Sequence, residues 1–166
     1  GKSGIEAIQA KQFIDCSGEA DLARYAGFET MKGGPSGYHL PMSMMYFVRH
    51  VDPEHAEPHL PQGWFDPIAS RNELPMTSPW PDGPGGTALK IKIPMFDATD
   101  TKSLTQAEIA ARRRMMEVLD YFQRQQKNPW ILDHCSPIIG IREGSRIVGD
   151  YILKVEDLRA GRAFED

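Results

Sequence analysis

The stretch that most constrains the fold is Phe13–Gly27, with the sequence FIDCSGEADLARYAG. Its first four residues, Phe13–Cys16, predict a short buried strand, and Ser17–Gly18 predicts a turn. A helix is predicted over Glu19–Ala26, because its acidic residues fall in the first turn, where the helix dipole favours them, and Gly27 can close it. This order of strand, glycine turn and helix start is typical of the place where an α/β domain contacts a nucleotide or cofactor.

Two side chains of this stretch carry further expectations. Asp15 places a carboxylate in an apolar strand, so it must find hydrogen-bond donors, because an unpaired buried charge is costly. Cys16 is one of two cysteines, the other being Cys135. Two cysteines are too few for a disulfide framework, and both are predicted to be reduced and buried.

Composition restricts the classes of function. The chain has 166 residues and a formal net charge of −4, which allows one well-buried core and argues against nucleic acid or an anionic membrane as the main partner. No apolar run approaches the roughly 18 residues of a membrane span, and these residues contain no recognisable signal peptide, which says little about a longer parent protein. The expected location is cytoplasmic. The opening GKSG reads as a hairpin tip within a longer protein.

The rest of the chain predicts an α+β fold with a mixed, largely antiparallel sheet. Its strands are predicted at residues 40–49, 87–94, 130–135, 138–143 and 146–153. The many prolines between His50 and Pro94 exclude a long helix there and predict loops and short helices. A short helix is predicted over Val155–Ala163. A cut sheet edge would invite pairing with a second copy, so a homo-oligomer is expected as one arrangement.

One long helix, near residues 105–126, is predicted to pack on a face of this sheet. Ser103 or Thr105 is expected to cap it. Its core positions are predicted from their helical spacing to be Ile109, Met115, Met116, Val118, Leu119 and Phe122. Arg112–Arg114 are consecutive and should fan around the helix, which indicates a solvated face rather than an anion site.

Two other groups of residues suggest chemistry. His55 and His59 have the spacing of a helical zinc pair, but Pro58 breaks the helix and no cysteine accompanies them, so no metal site is expected. Arg142 and Arg146 flank a strand junction, and an arginine fork suits carboxylate or phosphate recognition. The alternative for these arginines is a plain ion pair with Glu143 that ties two strands together.

Three segments of the chain match known sequence patterns. AKQFIDCSGEADLA, which ends at Ala23, resembles A-x-x-F-I-D-A/C-T/S-G-D-G-D-x-A. LTQAEIAARR, which begins at Leu104, resembles L-T-x-A-E-I-x-x-R-R. GIREGSRIVGDY, which begins at Gly140, is similar to G-I-R-E-S-R-R-I-x-G-E-Y. Together the three segments resemble a group of bacterial FAD-dependent oxidoreductases of the glutathione-reductase-like superfamily. In the first segment, Ala20 stands where the family has glycine.

The resemblance implies functional roles for particular residues. It places a set of residues beside the cofactor FAD, namely Asp15, Ser17, Gly18 and Glu19. It places the candidate catalytic residues Arg142 and Arg146 in a substrate domain, facing the flavin. The implied activity is hydride transfer between a small organic substrate and FAD, so the expected partner is a small-molecule substrate.

The resemblance also implies a domain organisation. No G-x-G-x-x-G fingerprint occurs in the 166 residues, so the chain is expected to be an internal piece of such an enzyme, inactive alone and unable to retain FAD. Residues 1–30 would be the returning strand and helix of a FAD-binding α/β domain, residues 31–153 the substrate-domain region, and residues 154–166 the return to the FAD domain. The alternative is a stand-alone α+β domain that binds an anion or a partner without catalysis.

Overall fold

The computed structural model describes residue 2, residues 4–34 and residues 39–165, so part of the predicted tip in GKSG lies outside the described residues. The elements in chain order are α1 (Asp21–Tyr25), β1 (Thr30–Met31), β2 (Met42–His50), β3 (Thr77–Pro81), β4 (Gly86–Ile93), α2 (Thr101–Arg124), β5 (Trp130–Cys135), β6 (Arg146–Ile147) and α3 (Val155–Ala160). Two short 3₁₀ helices, Pro53–His55 and Arg71–Glu73, lie between β2 and β3. The fold is α+β, as predicted.

The chain divides into two compact units. The first comprises Gly1–Lys32 and Ser145–Asp166, and the second comprises Gly33–Gly144. The assignment of chain segments to a FAD domain and a substrate domain stays a prediction. No helix among the described residues combines the length and the apolar character that a bilayer crossing requires.

The second unit is built on a four-stranded antiparallel sheet with the order β3-β4-β2-β5. Alternate residues of its two central strands are buried, which are Met42, Met44, Tyr46 and Val48 in β2 and Leu89, Ile91 and Ile93 in β4. Because successive side chains of a strand point to opposite faces, these residues form one apolar face. The strands predicted at residues 40–49, 87–94 and 130–135 are confirmed.

Helix α2 covers this apolar face. It buries the side chains of Ala107, Ala111, Met115, Val118 and Leu119. Each large apolar side chain buried here stabilises the fold by about 1.5–3 kcal/mol. The predicted caps are wrong: the helix begins at Thr101, and the side chain of Asp100 accepts a hydrogen bond from the Ser103 N–H at 2.7 Å. Ile109, predicted to be in the core, is 65% exposed.

The sequence missed β3 and overestimated the strands after β5. β3 contains Pro79 and Pro81 and pairs only with β4, and an edge strand tolerates proline because one side of it needs no N–H donors. The strand predicted at residues 138–143 is reduced to one isolated bridge between Ser43 and Gly140, whose N–H groups donate to each other's carbonyl oxygens at 3.0 and 2.7 Å.

The first unit contains little regular structure. Its two-stranded sheet pairs β1 with β6, so only two residues of the strand predicted at 146–153 are confirmed. Phe13–Cys16 form no strand, because an extended segment becomes one only when a partner satisfies its N–H and C=O groups. Phe13 is 62% exposed, and Cys16, predicted to be buried, is also exposed. Cys135, on β5 of the second unit, is half-buried.

Both predicted short helices are present in shortened form as α1 and α3. The start of α3 is held by Asp157, whose carboxylate accepts hydrogen bonds from the Tyr151 hydroxyl at 2.6 Å and the Lys154 N–H at 2.9 Å. Arg162 donates to the other carboxylate oxygen at 3.1 Å. The hydrogen bond from Tyr151 is the main cause that lowers the pKa of Asp157. This network fixes the chain around α3.

A buried hydroxyl in the core gives a first prediction. Tyr46 is fully buried, and its hydroxyl has no hydrogen-bond partner in the described part of the chain. Tyr46→Phe should leave the free energy of unfolding unchanged or raise it by about 1 kcal/mol, because an unsatisfied buried hydroxyl is removed. The matched control is Tyr121→Phe, since the Tyr121 hydroxyl bonds Gln126 Nε2 at 3.1 Å. Tyr121→Phe should lower the free energy of unfolding, measured with urea, by about 1 kcal/mol. An equal loss in both variants would contradict the prediction.

Candidate functional site

The turn before α1 is held by the side chains of Asp15 and Ser17. The Asp15 carboxylate accepts hydrogen bonds from the Ser17 N–H through Oδ1 and from the Ala23 N–H through Oδ2, both at 2.9 Å. The Ser17 hydroxyl oxygen accepts from the Asp21 N–H at 2.9 Å. Two otherwise unpaired N–H groups of the first helical turn are thereby satisfied. The donors that Asp15 requires therefore lie within its own unit.

The charge of Asp15 restricts what this turn can bind. The hydrogen bond from the Ala23 N–H, followed by those from Ser17, holds the pKa of Asp15 below its usual 3.8. The carboxylate is therefore ionised at neutral pH and lies at the N-terminus of α1, where the helix dipole favours it. A phosphate would have to displace this carboxylate to reach the same N–H groups. The turn is thus better suited to a ligand's hydroxyl and carbonyl groups than to its phosphates.

The outer side of the turn consists of Gly18, Glu19 and Ala20. Gly18 has a φ of +81°, and a Cβ atom built on it would meet nothing within 4 Å. Ala20 also adopts the left-handed conformation, with φ at 55°. No hydrogen bond joins the backbone N–H groups of these three residues, or the half-buried Glu19 carboxylate, to any other residue that the structure describes. The turn therefore offers backbone donors and one carboxylate acceptor to a ligand.

Sequence reasoning missed the contribution of Ala20. The signal was available, because Ala20 stands where the resembling segment has glycine. The backbone at this position is left-handed, which favours glycine, because a residue with a Cβ atom adopts this conformation at a cost of roughly 1–2 kcal/mol.

A cavity of about 520 Å³ adjoins Asp15 within the first unit. Its wall is mainly apolar and includes Phe13, Leu22, Ala26 and Phe28. Cavities of this size hold small molecules in many proteins. A ligand bound at the turn could place an apolar group here.

The two candidate arginines belong to different units, Arg142 to the second and Arg146 to the first. Both are exposed, and Arg146 lies in β6. Glu143, expected to orient an arginine, accepts a hydrogen bond from the Leu40 N–H at 2.8 Å. The arginine fork therefore stays a prediction.

The histidine pair does not form a helical zinc site. His55 ends a 3₁₀ helix that begins at Pro53, whereas His59 follows Pro58 outside it. The Nε2 atom of His59 accepts a hydrogen bond from the Leu132 N–H at 2.8 Å, which occupies one of its two ring nitrogens. Within residues 4–34 and 39–165, no group of three or more His, Cys, Asp or Glu side chains is placed to hold a metal ion.

Comparison with known proteins assigns the chain to a class. The family model described as FAD dependent oxidoreductase matches residues 1–166. The chain therefore belongs to the FAD dependent oxidoreductase family, which confirms this part of the resemblance. No curated protein matches the chain, and no solved structure matches it either.

The role of Asp15 leads to a prediction about pH. Because its folded-state pKa is lowered, Asp15 stabilises the fold fully above its ordinary pKa of 3.8, and this contribution is lost as the pH falls through the lowered value. Asp15→Asn should therefore lower the melting temperature most at neutral pH, and the difference from the unmodified chain should narrow in acid. Calorimetry across this pH range measures the difference. A difference that stays constant down to the acid limit would contradict the role given to Asp15.

Proposed function

We propose that this chain is the part of a FAD-dependent oxidoreductase that borders the flavin and contacts a small organic substrate. The family match supports FAD as the cofactor. The observation that carries the proposal is the outer side of the Gly18–Ala20 turn, with open space above Gly18 and backbone N–H groups that make no hydrogen bond within the described part of the chain. The dinucleotide fingerprint of this glutathione-reductase-like enzyme would lie outside the 166 residues.

The residues of the turn have distinct roles in this proposal. Gly18 lets the cofactor approach the backbone closely, because any side chain there would occupy the same space. The N–H groups of Gly18–Ala20 donate hydrogen bonds to cofactor oxygens, and the Glu19 carboxylate accepts from cofactor hydroxyl groups. Asp15 and Ser17 act as positioning residues, since their oxygens already cap α1. FAD, when bound, supplies the hydride chemistry.

Arg142 and Arg146 are the proposed residues on the substrate side. Arg142 makes no hydrogen bond or ion pair with another residue that the structure describes, and its planar guanidinium group can donate two parallel hydrogen bonds to a carboxylate. We propose that Arg142 binds an anionic substrate group and that Arg146 is a second candidate for this role. The family match favours this flavoenzyme over the stand-alone anion-binding domain.

The flavin content of the longer enzyme, which carries the dinucleotide fingerprint, tests the proposed turn. Gly18→Val places a side chain in the space proposed for the cofactor and should weaken FAD binding at least tenfold, equivalent to roughly 1.4 kcal/mol, so that the ratio of flavin to protein absorbance falls at sub-saturating FAD. The matched control is Gly83→Val in the β3–β4 turn. Gly83 has a φ of +69° and nothing within 4 Å of a built Cβ atom, so both variants carry similar backbone strain. The control should keep its flavin.

Two results would contradict the proposal. One is an unchanged flavin content in a folded Gly18→Val protein. The other is equal flavin loss in both glycine variants, since this would attribute the loss to strain rather than to contact with the cofactor. Circular dichroism of each variant establishes that it is folded before its flavin is counted.

A further inference from the structure

A cavity of about 520 Å³ lies in the second unit, between helix α2 and the chain segments that flank the sheet. Its wall is largely apolar and includes Met76, Ile93, Phe96 and Ala110. The volume falls in the range of small-molecule sites, which are typically apolar with a few fixed polar groups. Neither the proposed flavin turn nor the candidate arginines Arg142 and Arg146 line this cavity.

Two arginines converge at the wall of this cavity. Arg113 Nε lies 3.2 Å from one oxygen of Glu117, and Arg114 Nη1 lies 2.7 Å from the other. The three arginines therefore do not simply fan around the helix, although the side chain of Arg113 is 62% exposed, in keeping with the predicted solvated face. Residues three and four positions apart are neighbours on a helix, so both reach Glu117. Arg112 instead pairs with Glu108 and the Pro137 carbonyl oxygen.

Glu117 holds these guanidinium groups in place. Its side chain is only 10% exposed and bonds both arginines. Arg114 makes one more hydrogen bond, in which its second terminal nitrogen donates to the Glu73 carbonyl oxygen at 3.2 Å. Arg113 donates only through Nε, and its two terminal nitrogens make no hydrogen bond with any other residue in the described ranges. Arg113, whose side chain is 62% exposed, therefore presents its two terminal nitrogens as donors beside an apolar wall.

The charge of the lining is unbalanced. Lys92 joins Arg113 and Arg114 in the wall, and Glu117 is the one carboxylate among the lining residues. No ion pair connects Lys92 to a carboxylate within the described part of the chain. The lining thus keeps a net positive charge, which favours an anion.

We propose that this cavity binds a small organic carboxylate with an apolar body. The ligand's carboxylate accepts hydrogen bonds from the terminal nitrogens of Arg113. Its apolar body packs against Met76, Ile93 and Phe96. A carboxylate fits better than inorganic phosphate, because most of the wall is apolar and a compact polyanion would leave that wall in water. The inference is independent of the proposed flavin site.

Calorimetric titration of the 166-residue chain with 2-naphthoate tests the proposal, with neutral 2-naphthamide as the matched ligand. We expect saturable 2-naphthoate binding and at least tenfold weaker binding of the amide, equivalent to about 1.4 kcal/mol. Arg113→Gln should weaken 2-naphthoate binding about tenfold, because a charge-assisted pair of hydrogen bonds is lost. The control is Arg112→Gln, which removes the same charge one residue away and should leave the affinity within about twofold.

A second variant tests the apolar wall separately. Ala110→Met adds a flexible side chain at a half-buried helical position that lines the cavity, and it should weaken binding at least fivefold without changing charge. The proposal is overturned if 2-naphthoate shows no saturable binding, or if the amide binds as tightly. It is also overturned if Arg113→Gln and Ala110→Met bind as the unmodified chain does. Because neither variant touches the Gly18–Ala20 turn, none of these outcomes affects the proposed flavin function.

Discussion

The Asp15 carboxylate determines how the first unit turns from an extended segment into a helix. It accepts hydrogen bonds from the N–H groups of Ser17 and Ala23, and the Ser17 hydroxyl oxygen accepts one from the N–H group of Asp21. These bonds satisfy the N-terminus of α1 from within the chain. They also leave the outer side of the turn to Gly18–Ala20. The N–H groups of Gly18–Ala20, which we propose face the flavin, are therefore not among those that Asp15 and Ser17 bond.

The second unit follows largely from hydrophobic periodicity. A dense apolar run predicted β2, alternation predicted β4 and helical spacing predicted α2, because each of these elements buries one side against the others. The failures have physical causes. β3 contains prolines that only an edge position tolerates, and Asp100 is a better cap than the residues chosen inside the helix.

The candidate site was predictable in part. The motif gave Asp15, Ser17, Gly18 and Glu19 as residues beside the cofactor, which stays a prediction, and it could not separate the residues that hold the turn from those whose N–H groups the turn leaves unbonded. The expected strand at Phe13–Cys16 did not form, because an apolar run specifies a strand only when a partner lies beside it. Convergence of two arginines on Glu117 likewise depends on side-chain geometry.

Amide hydrogen exchange in the longer enzyme, with and without bound flavin, tests most directly whether the Gly18–Ala20 turn borders the cofactor. Flavin should slow exchange at the N–H groups of Gly18–Ala20, because they would gain hydrogen bonds. It should change exchange far less at Ser17 and Ala23, whose N–H groups are already bonded to Asp15. Unchanged exchange at Gly18–Ala20 on flavin binding would contradict the claim that this turn borders the cofactor.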